Sequence, residues 1–111
     1  MLDQINTLIA REEKFLPKFA PGTSQHSLLK NRITALRTVC DLITEDRIPT
    51  RVELDFALPR IESLLHKTRA ARDKYAPDSA NFKRFTPAVK LMESAKALIL
   101  HAQNDSDRFT N

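Results

Sequence analysis

The sequence predicts an all-α fold, a four-helix bundle with up-down-up-down topology built from two copies of an αα-hairpin placed 56 residues apart. Three observations predict this architecture. The chain has one glycine and 6% aromatic residues, whereas sheet proteins need glycine in turns and aromatic or β-branched runs in strands. Apolar residues recur at steps of three and four, which is typical of one face of a helix. The segment KFAPGTSQ at 18–25 returns as KYAPDSAN at 74–81.

The internal repeat extends well beyond these two segments. Among the 42 ungapped pairs from 2/58 to 43/99, eight are identical, whereas composition alone predicts about two or three. The identical pairs are Leu2/Leu58, Ile5/Ile61, Leu8/Leu64, Lys18/Lys74, Ala20/Ala76, Pro21/Pro77, Leu42/Leu98 and Ile43/Ile99. Similarity at a fixed spacing indicates a repeated supersecondary unit. We therefore expect one domain over 1–103, with hairpin one at 2–44, a linker at 45–51 and hairpin two at 52–103.

Each of the four predicted helices carries a narrow apolar stripe. The stripe of the second helix consists of Leu29, Ile33, Leu36, Cys40 and Ile43. Comparable stripes begin at Leu2, Leu58 and Phe85, and Glu12 is the polar exception on the first of them. Such seams are expected where helices pack nearly parallel or antiparallel. We expect Glu12 to lie at an edge, where it reaches water or a lysine.

The corners and the linker contain stop and start signals for helices. Pro21 and Pro77 disfavour helix at the residue before them, and Thr23 or Ser24, and Asp78 or Ser79, can cap the next helix. In the linker, Pro49 ends one element, and Thr50 with Glu53 fits a capping box. The polar tail at 104–111 is predicted to be frayed.

Three further prolines fall near or within the predicted helices. Pro17 predicts that the first helix kinks or stops near Leu16. Pro59 aligns with Asp3, where the first helix opens, so we expect a short lead-in at 51–57 and a main helix from about residue 58. Pro87 aligns with Asn31 in mid-helix, and a kink is expected there.

The net charge of +4 is unevenly distributed. Residues 60–96 hold nine basic and four acidic side chains, an excess of +5. Such an excess favours association with an anionic partner through long-range attraction.

The candidate site follows from the topology, because an up-down bundle brings both proline corners to the same end. Helix N-termini there would suit phosphate or carboxylate groups. The basic candidates for binding an anion or a partner are Lys18, His26, Lys30, Lys74, Lys83 and Arg84. The simpler interpretation, ordinary caps with solvated lysines, is the one we favour. Phe82 and Phe85 beside Lys83 and Arg84 are the candidate hydrophobic anchor.

Several kinds of site are disfavoured by residue type and spacing. Cys40 is the only cysteine, which excludes an internal disulfide and a cysteine-based zinc site. The histidines lack metal-ligand spacing, so no metal or cofactor is predicted. The N-terminus lacks the features of a signal peptide, and the longest apolar run is ALIL at 97–100. A cytoplasmic protein without a membrane segment is therefore expected.

We expect a non-catalytic protein–protein interaction module, of the adaptor or immunity-protein kind. The alternative function is a binder of nucleic-acid backbone or of a phosphorylated ligand through the basic end. Nucleic acid is not favoured, because the basic line Arg60, Lys67 and Lys74 lacks interleaved aromatics for stacking bases. An enzyme is the least supported class, since no acid–base pair or nucleophile can be named. A homodimer, domain-swapped or side by side, is the alternative architecture.

Overall fold

The computed structural model describes residues 1–109 and their side chains as far as Asp107. Four α-helices account for most of that range, and it contains no strand. They are α1 (Leu2–Phe15), α2 (Ser24–Thr44), α3 (Arg51–Arg72) and α4 (Ala80–Phe109), and a 3₁₀ helix at Leu16–Lys18 follows α1. The all-α prediction with four main helices is confirmed.

Polar pairs cross-link α1 to α2 and α3 to α4. In both cases the residue number on one helix rises as that of its partner on the other helix falls. Between α3 and α4, which pack together most extensively, the pairs are Arg51–Asp107, Asp55–Gln103, Glu62–Lys96 and Arg69–Glu93. Between α1 and α2, Asn6 meets Cys40 and Glu13 meets Arg37. The helix α2 also packs on α3 and, less extensively, on α4.

One hydrophobic core joins all four helices. Its fully enclosed large side chains are Ile5, Leu36, Val39, Ile61, Val89 and Ile99. Burial of each such side chain contributes about 1.5–3 kcal/mol to folding. Most residues of the predicted stripes therefore face the core, whereas two aromatic residues at the ends of their stripes, Phe19 and Tyr75, are exposed.

Hydroxyl caps start α2 and α4, and a capping box starts α3. The Thr23 oxygen accepts the His26 backbone N–H, and the Ser79 oxygen accepts that of Phe82. Thr50 and Glu53 make both reciprocal bonds of the capping box, as the sequence predicts. Gly22 has a φ of +89°, a conformation that favours glycine because it lacks Cβ.

The interior prolines correct one sequence prediction. The helix α1 ends at Phe15, just before Pro17, but α3 runs unbroken through Pro59, so the separate lead-in at 51–57 is wrong. The capping box starts the helix at Arg51, and burial of Leu54 and Ala57 offsets the hydrogen bond that proline cannot make.

The last helix is also longer than expected. It runs through Pro87 and continues to Phe109, beyond residue 103, where the sequence placed the end of the bundle. The Arg51–Asp107 ion pair and the bond from Gln103 to Asp55 fasten this extension to α3. The remainder of the predicted tail, residues 110–111, lies outside the described range.

Candidate functional site

A cavity of about 330 Å³ lies where all four helices meet. Its apolar wall includes Leu8, Leu64, Ala71, Phe85, Ala88, Leu91 and Met92. Its polar lining residues are Arg11, Glu12, Arg32, Lys67 and Thr68. We call this space the Arg32 cavity, because Arg32 is the most buried of its charged residues.

Arg32 is a cation that the fold encloses without giving it a counterion. Only 9% of the residue is exposed, and its Nε is buried without a hydrogen-bond partner. Within the described residues no carboxylate lies within ion-pair distance of its guanidinium, whereas Arg37 on the same helix pairs with Glu13 at 2.5 Å. A buried polar group without a partner is costly to folding. A side chain in this state is therefore a candidate binding group.

Glu12 contributes a carboxylate to the same cavity. It is half-buried on α1, between the buried Ile9 and the half-buried Leu16. The sequence predicts that Glu12 lies at an edge and reaches water or a lysine. In the structure Glu12 lines a cavity together with Lys67, but also with the buried Arg32. Three cations and one anion line the cavity, so its lining is electropositive.

Sequence reasoning missed Arg32, although a usable signal is present. Leu29, Arg32, Ile33 and Leu36 follow the spacing of three, four and seven residues that marks one helix face. Arg32 thus occupies a position within an apolar face, as Glu12 does on α1. Two opposite charges on separate apolar stripes could have indicated a buried polar site.

A second candidate site is a groove of about 550 Å³ beside the N-terminus of α1 and along α4. The residues lining this α1–α4 groove are Met1, Gln4, Pro77, Phe82, Lys83, Thr86, Pro87, Lys90, Leu91 and Ser94. They include two exposed lysines and no acidic residue. Leu91 lines the Arg32 cavity as well, so the two sites adjoin.

Beside the linker, a third space of about 680 Å³ is lined by acidic residues and apolar side chains. Asp41, Glu45 and Asp105 belong to it, and Ile48 at its edge is 90% exposed. Arg47 pairs with Asp41 at 3.0 Å and also with Glu53. The hydrogen bond from Arg47, and then that from the Thr50 backbone, lowers the pKa of Glu53 to about 2. This pocket is already held by intramolecular ion pairs.

The predicted site residues divide into two groups. Phe82 and Lys83 line the α1–α4 groove, and Phe85 lines the Arg32 cavity. The other predicted residues line neither of these spaces; they are Lys18, His26, Lys30, Lys74 and Arg84. Of this second group, Lys18 lies 4.6 Å from the ring centre of Phe15.

The two predicted anchor residues are held by contacts within the chain. The Arg72 guanidinium lies 4.9 Å from the ring centre of Phe82. Tyr75 and Phe85 stack with ring centres 6.1 Å apart and an interplanar angle of 11°. Both phenylalanines are half-buried, so part of each ring is accessible to a ligand.

Cys40 has the character of a structural thiol. Burial, and secondly the charge of Asp41, raises the pKa of Cys40, which disfavours the reactive thiolate. Its Sγ lies 3.5 Å from Oδ1 of Asn6.

Across the described residues no group of three histidine, cysteine or acidic side chains could hold a metal ion.

None of the helices in the described range is long and apolar enough to cross a membrane.

Comparison with protein-family models, with curated proteins and with solved structures found no match to this chain.

Proposed function

We propose that this protein is a non-catalytic binding module whose α1–α4 groove receives an acidic amphipathic helix of a partner protein. The observation that carries the proposal is the lining of the groove. Phe82 and Leu91 supply half-buried apolar surface, and Lys83 and Lys90 supply exposed positive charge. Partner helices commonly lay an apolar face into such a groove, and charge complementarity selects among them.

The spacing of the two lysines fits a helical partner. Lys83 and Lys90 are seven residues apart on α4, which separates them by about 10.5 Å along the helix axis. A partner helix that lies along α4 can place acidic side chains beside these lysines. The groove is also open to a partner, because α1 and α4 are not among the extensively packed helix pairs.

We also propose that the fold is a duplicated αα-hairpin with up-down-up-down topology. The two corners support this idea, because residues 56 apart make the same bonds. Thr23 Oγ1 and Ser79 Oγ donate to the carbonyls of Ala20 and Ala76, each at 2.7 Å. Buried core positions also correspond, among them Ile5/Ile61, Ile9/Leu65, Ile33/Val89, Leu36/Met92 and Val39/Ala95.

The duplication provides an internal example of the proposed docking. On the α2–α3 side, Thr34 and Thr38 line a small space together with Glu53 and Phe56. A shift of 56 residues takes Thr34 and Thr38 to Lys90 and Ser94, both of which line the groove. The segment RVELDFA at 51–57 is helical and acidic, so it indicates the kind of segment that fits the corresponding face of α4.

The test uses a labelled peptide with the sequence of residues 50–58, TRVELDFAL, held helical by a side-chain bridge on its outer face. We expect saturable binding by fluorescence anisotropy. A protein variant with Lys83→Ala and Lys90→Ala should bind at least about tenfold more weakly, which corresponds to about 1.4 kcal/mol. A peptide with its two acidic residues changed to amides should lose a similar amount.

The matched control carries Lys30→Ala and Lys74→Ala, which remove the same charge from exposed positions outside the groove. This variant should bind the peptide like the parent protein. Equal loss in both double variants, or no binding by the parent, would contradict the proposal. Binding of an oligonucleotide that disappears in the control variant would instead support the alternative, a binder of nucleic-acid backbone at the basic end.

A further inference from the structure

We propose that the Arg32 cavity is a second binding site, which takes a small carboxylate of about eight carbon atoms in total, most of them in an apolar body. The inference does not depend on the proposed use of the groove, because it is argued from the lining of the Arg32 cavity, which shares only Leu91 with the groove.

Arg32 supplies the recognition group for the carboxylate. Its side chain lines the cavity, the residue is 9% exposed, and Nε is buried without a partner. A guanidinium presents planar paired donors that match the two oxygens of a carboxylate. A bound carboxylate would supply the hydrogen bonds and the counterion that the fold does not.

The other charged groups define the charge of the ligand. Arg11 and Lys67 are exposed where they line the cavity, so they can attract an anion to its mouth. Glu12 is half-buried in the same space. Because its carboxylate repels additional negative charge, a singly charged head group is favoured over a phosphate dianion.

Thr68 adds a hydroxyl group whose hydrogen is already engaged in a hydrogen bond. Its hydroxyl donates to the Leu64 carbonyl at 2.6 Å, which leaves only acceptor capacity toward the cavity. An ionised carboxylate is an acceptor as well, so Thr68 does not compete with Arg32 for the ligand. Arg32 remains the buried donor of the site.

The walls and the volume define the apolar body. Leu64 and Met92 are buried in the core and also line the cavity, while Phe85 lines it with one face stacked on Tyr75. A space of about 330 Å³ holds about ten non-hydrogen atoms, if each takes about the 30 Å³ of a water molecule. Octanoate has this size and this chemistry.

The polar residues of the cavity come unequally from the two halves of the chain. The pairs Glu12/Thr68 and Arg32/Ala88 are each 56 residues apart, and all four residues line the cavity. Ala88 is the counterpart of Arg32 in the second half, and its methyl group adds no second cation to the cavity. The site therefore has one charged head position and one apolar side, as a small amphipathic anion requires.

The experiment is a titration of the intact chain with octanoate, followed by ¹H–¹⁵N NMR and by calorimetry. We expect the Nε–H signal of Arg32 and the amides of Leu64, Phe85 and Met92 to shift together and to saturate. Octanol, which has the same number of carbon atoms but no charge, should shift the Arg32 signal little. Since the Arg32 signal belongs to the parent protein, this arm needs no variant.

The variant arm compares Arg32→Met with Arg37→Met, which removes an exposed arginine from the same helix. Arg32→Met should weaken octanoate binding at least tenfold, whereas Arg37→Met should leave it unchanged. An unmoved Arg32 Nε–H signal, equal binding of octanol, or tight binding by Arg32→Met would each overturn the inference. Tighter binding of octyl phosphate than of octanoate would overturn the choice of a singly charged head group.

Discussion

Arg32 and Glu12 line the same cavity from α2 and α1, yet no ion pair within 4.0 Å joins them. Opposite charges enclosed by a protein normally pair, because an unpaired buried charge is strongly destabilising. The fold thus carries a local cost at the junction of its four helices. Such costs are concentrated at functional sites, where stability is exchanged for binding.

The first prediction concerns this cost. Arg32→Met removes the buried guanidinium and keeps an unbranched apolar stem, so the free energy of unfolding should rise by about 1 kcal/mol or more. Chemical denaturation without ligand measures the change. The control Arg37→Met, at a side chain that is 64% exposed and paired with Glu13, should not raise the free energy of unfolding and should lower it by less than about 1 kcal/mol. Lower stability of Arg32→Met would indicate that the guanidinium has a stabilising partner.

The second prediction concerns the two corner caps. Thr23→Ala and Ser79→Ala each remove a hydroxyl that accepts a helix N–H, at 3.3 and 3.1 Å. Each should lower the free energy of unfolding by about 1 kcal/mol. Thr34→Ala removes a threonine from the exposed middle of α2 and should stay within about 0.5 kcal/mol. A loss at one corner without a loss at the other would contradict the equivalence of the corners.

The third prediction concerns the continuity of α3. A proline in a helix interior is about 3 kcal/mol less favourable than alanine, and Pro59 is an exposed interior residue. Pro59→Ala should therefore raise the free energy of unfolding by about 1–3 kcal/mol. Pro17→Ala, at the start of the 3₁₀ helix, should raise it little, because proline suits that position. Equal effects of the two variants would indicate that α3 is divided at Pro59.

The fourth prediction concerns stability in acid. The folded-state pKa of Glu53 is lowered from 4.5 to about 2 by the hydrogen bond from Arg47 and then by that from Thr50. A lowered folded-state pKa contributes stability that is present above pH 4.5 and is lost as the pH falls toward 2. Glu53→Gln should flatten stability against pH in this window.

Arg47→Met is the companion variant, because it removes the larger of the two causes and leaves the Thr50 bond. It should produce part of the same flattening in thermal unfolding measured between pH 5 and pH 2. Parallel curves for the parent and Glu53→Gln over this range would contradict the assigned role of Glu53.

The helices of this protein could be predicted from its sequence because their signals are local. Steps of three and four residues mark the core faces, and residues such as Ile5, Leu36 and Ile99 are buried as expected. Thr23, Ser79 and the Thr50–Glu53 box start helices because a cap acts within one turn.

The course of α3 through Pro59 depends on contacts that local signals do not contain. Because proline is favoured in the first turn of a helix, Pro59 predicts that a new helix starts there and that α3 is divided. Burial of Leu54 and Ala57 against other helices outweighs that preference, and sequence spacing alone does not report which helix covers them.

The candidate site was predicted only in part for a similar reason. Charge and aromatic content predict Phe82, Lys83 and Phe85, which line the groove or the cavity. Arg32 was missed because an arginine is usually solvated, and its burial arises from the approach of all four helices. Glu12 is already evident as the charged residue on the stripe of α1, and the same search applied to α2 finds Arg32.

The most direct test of the central claim is an NMR map of the TRVELDFAL peptide on the intact protein. If the α1–α4 groove is the docking surface, amide shifts will concentrate at Gln4, Lys83, Lys90 and Leu91. If the shifts concentrate instead at the corner residues Lys18, Lys30 and Lys74, or spread evenly over the helices, the groove is not the binding surface.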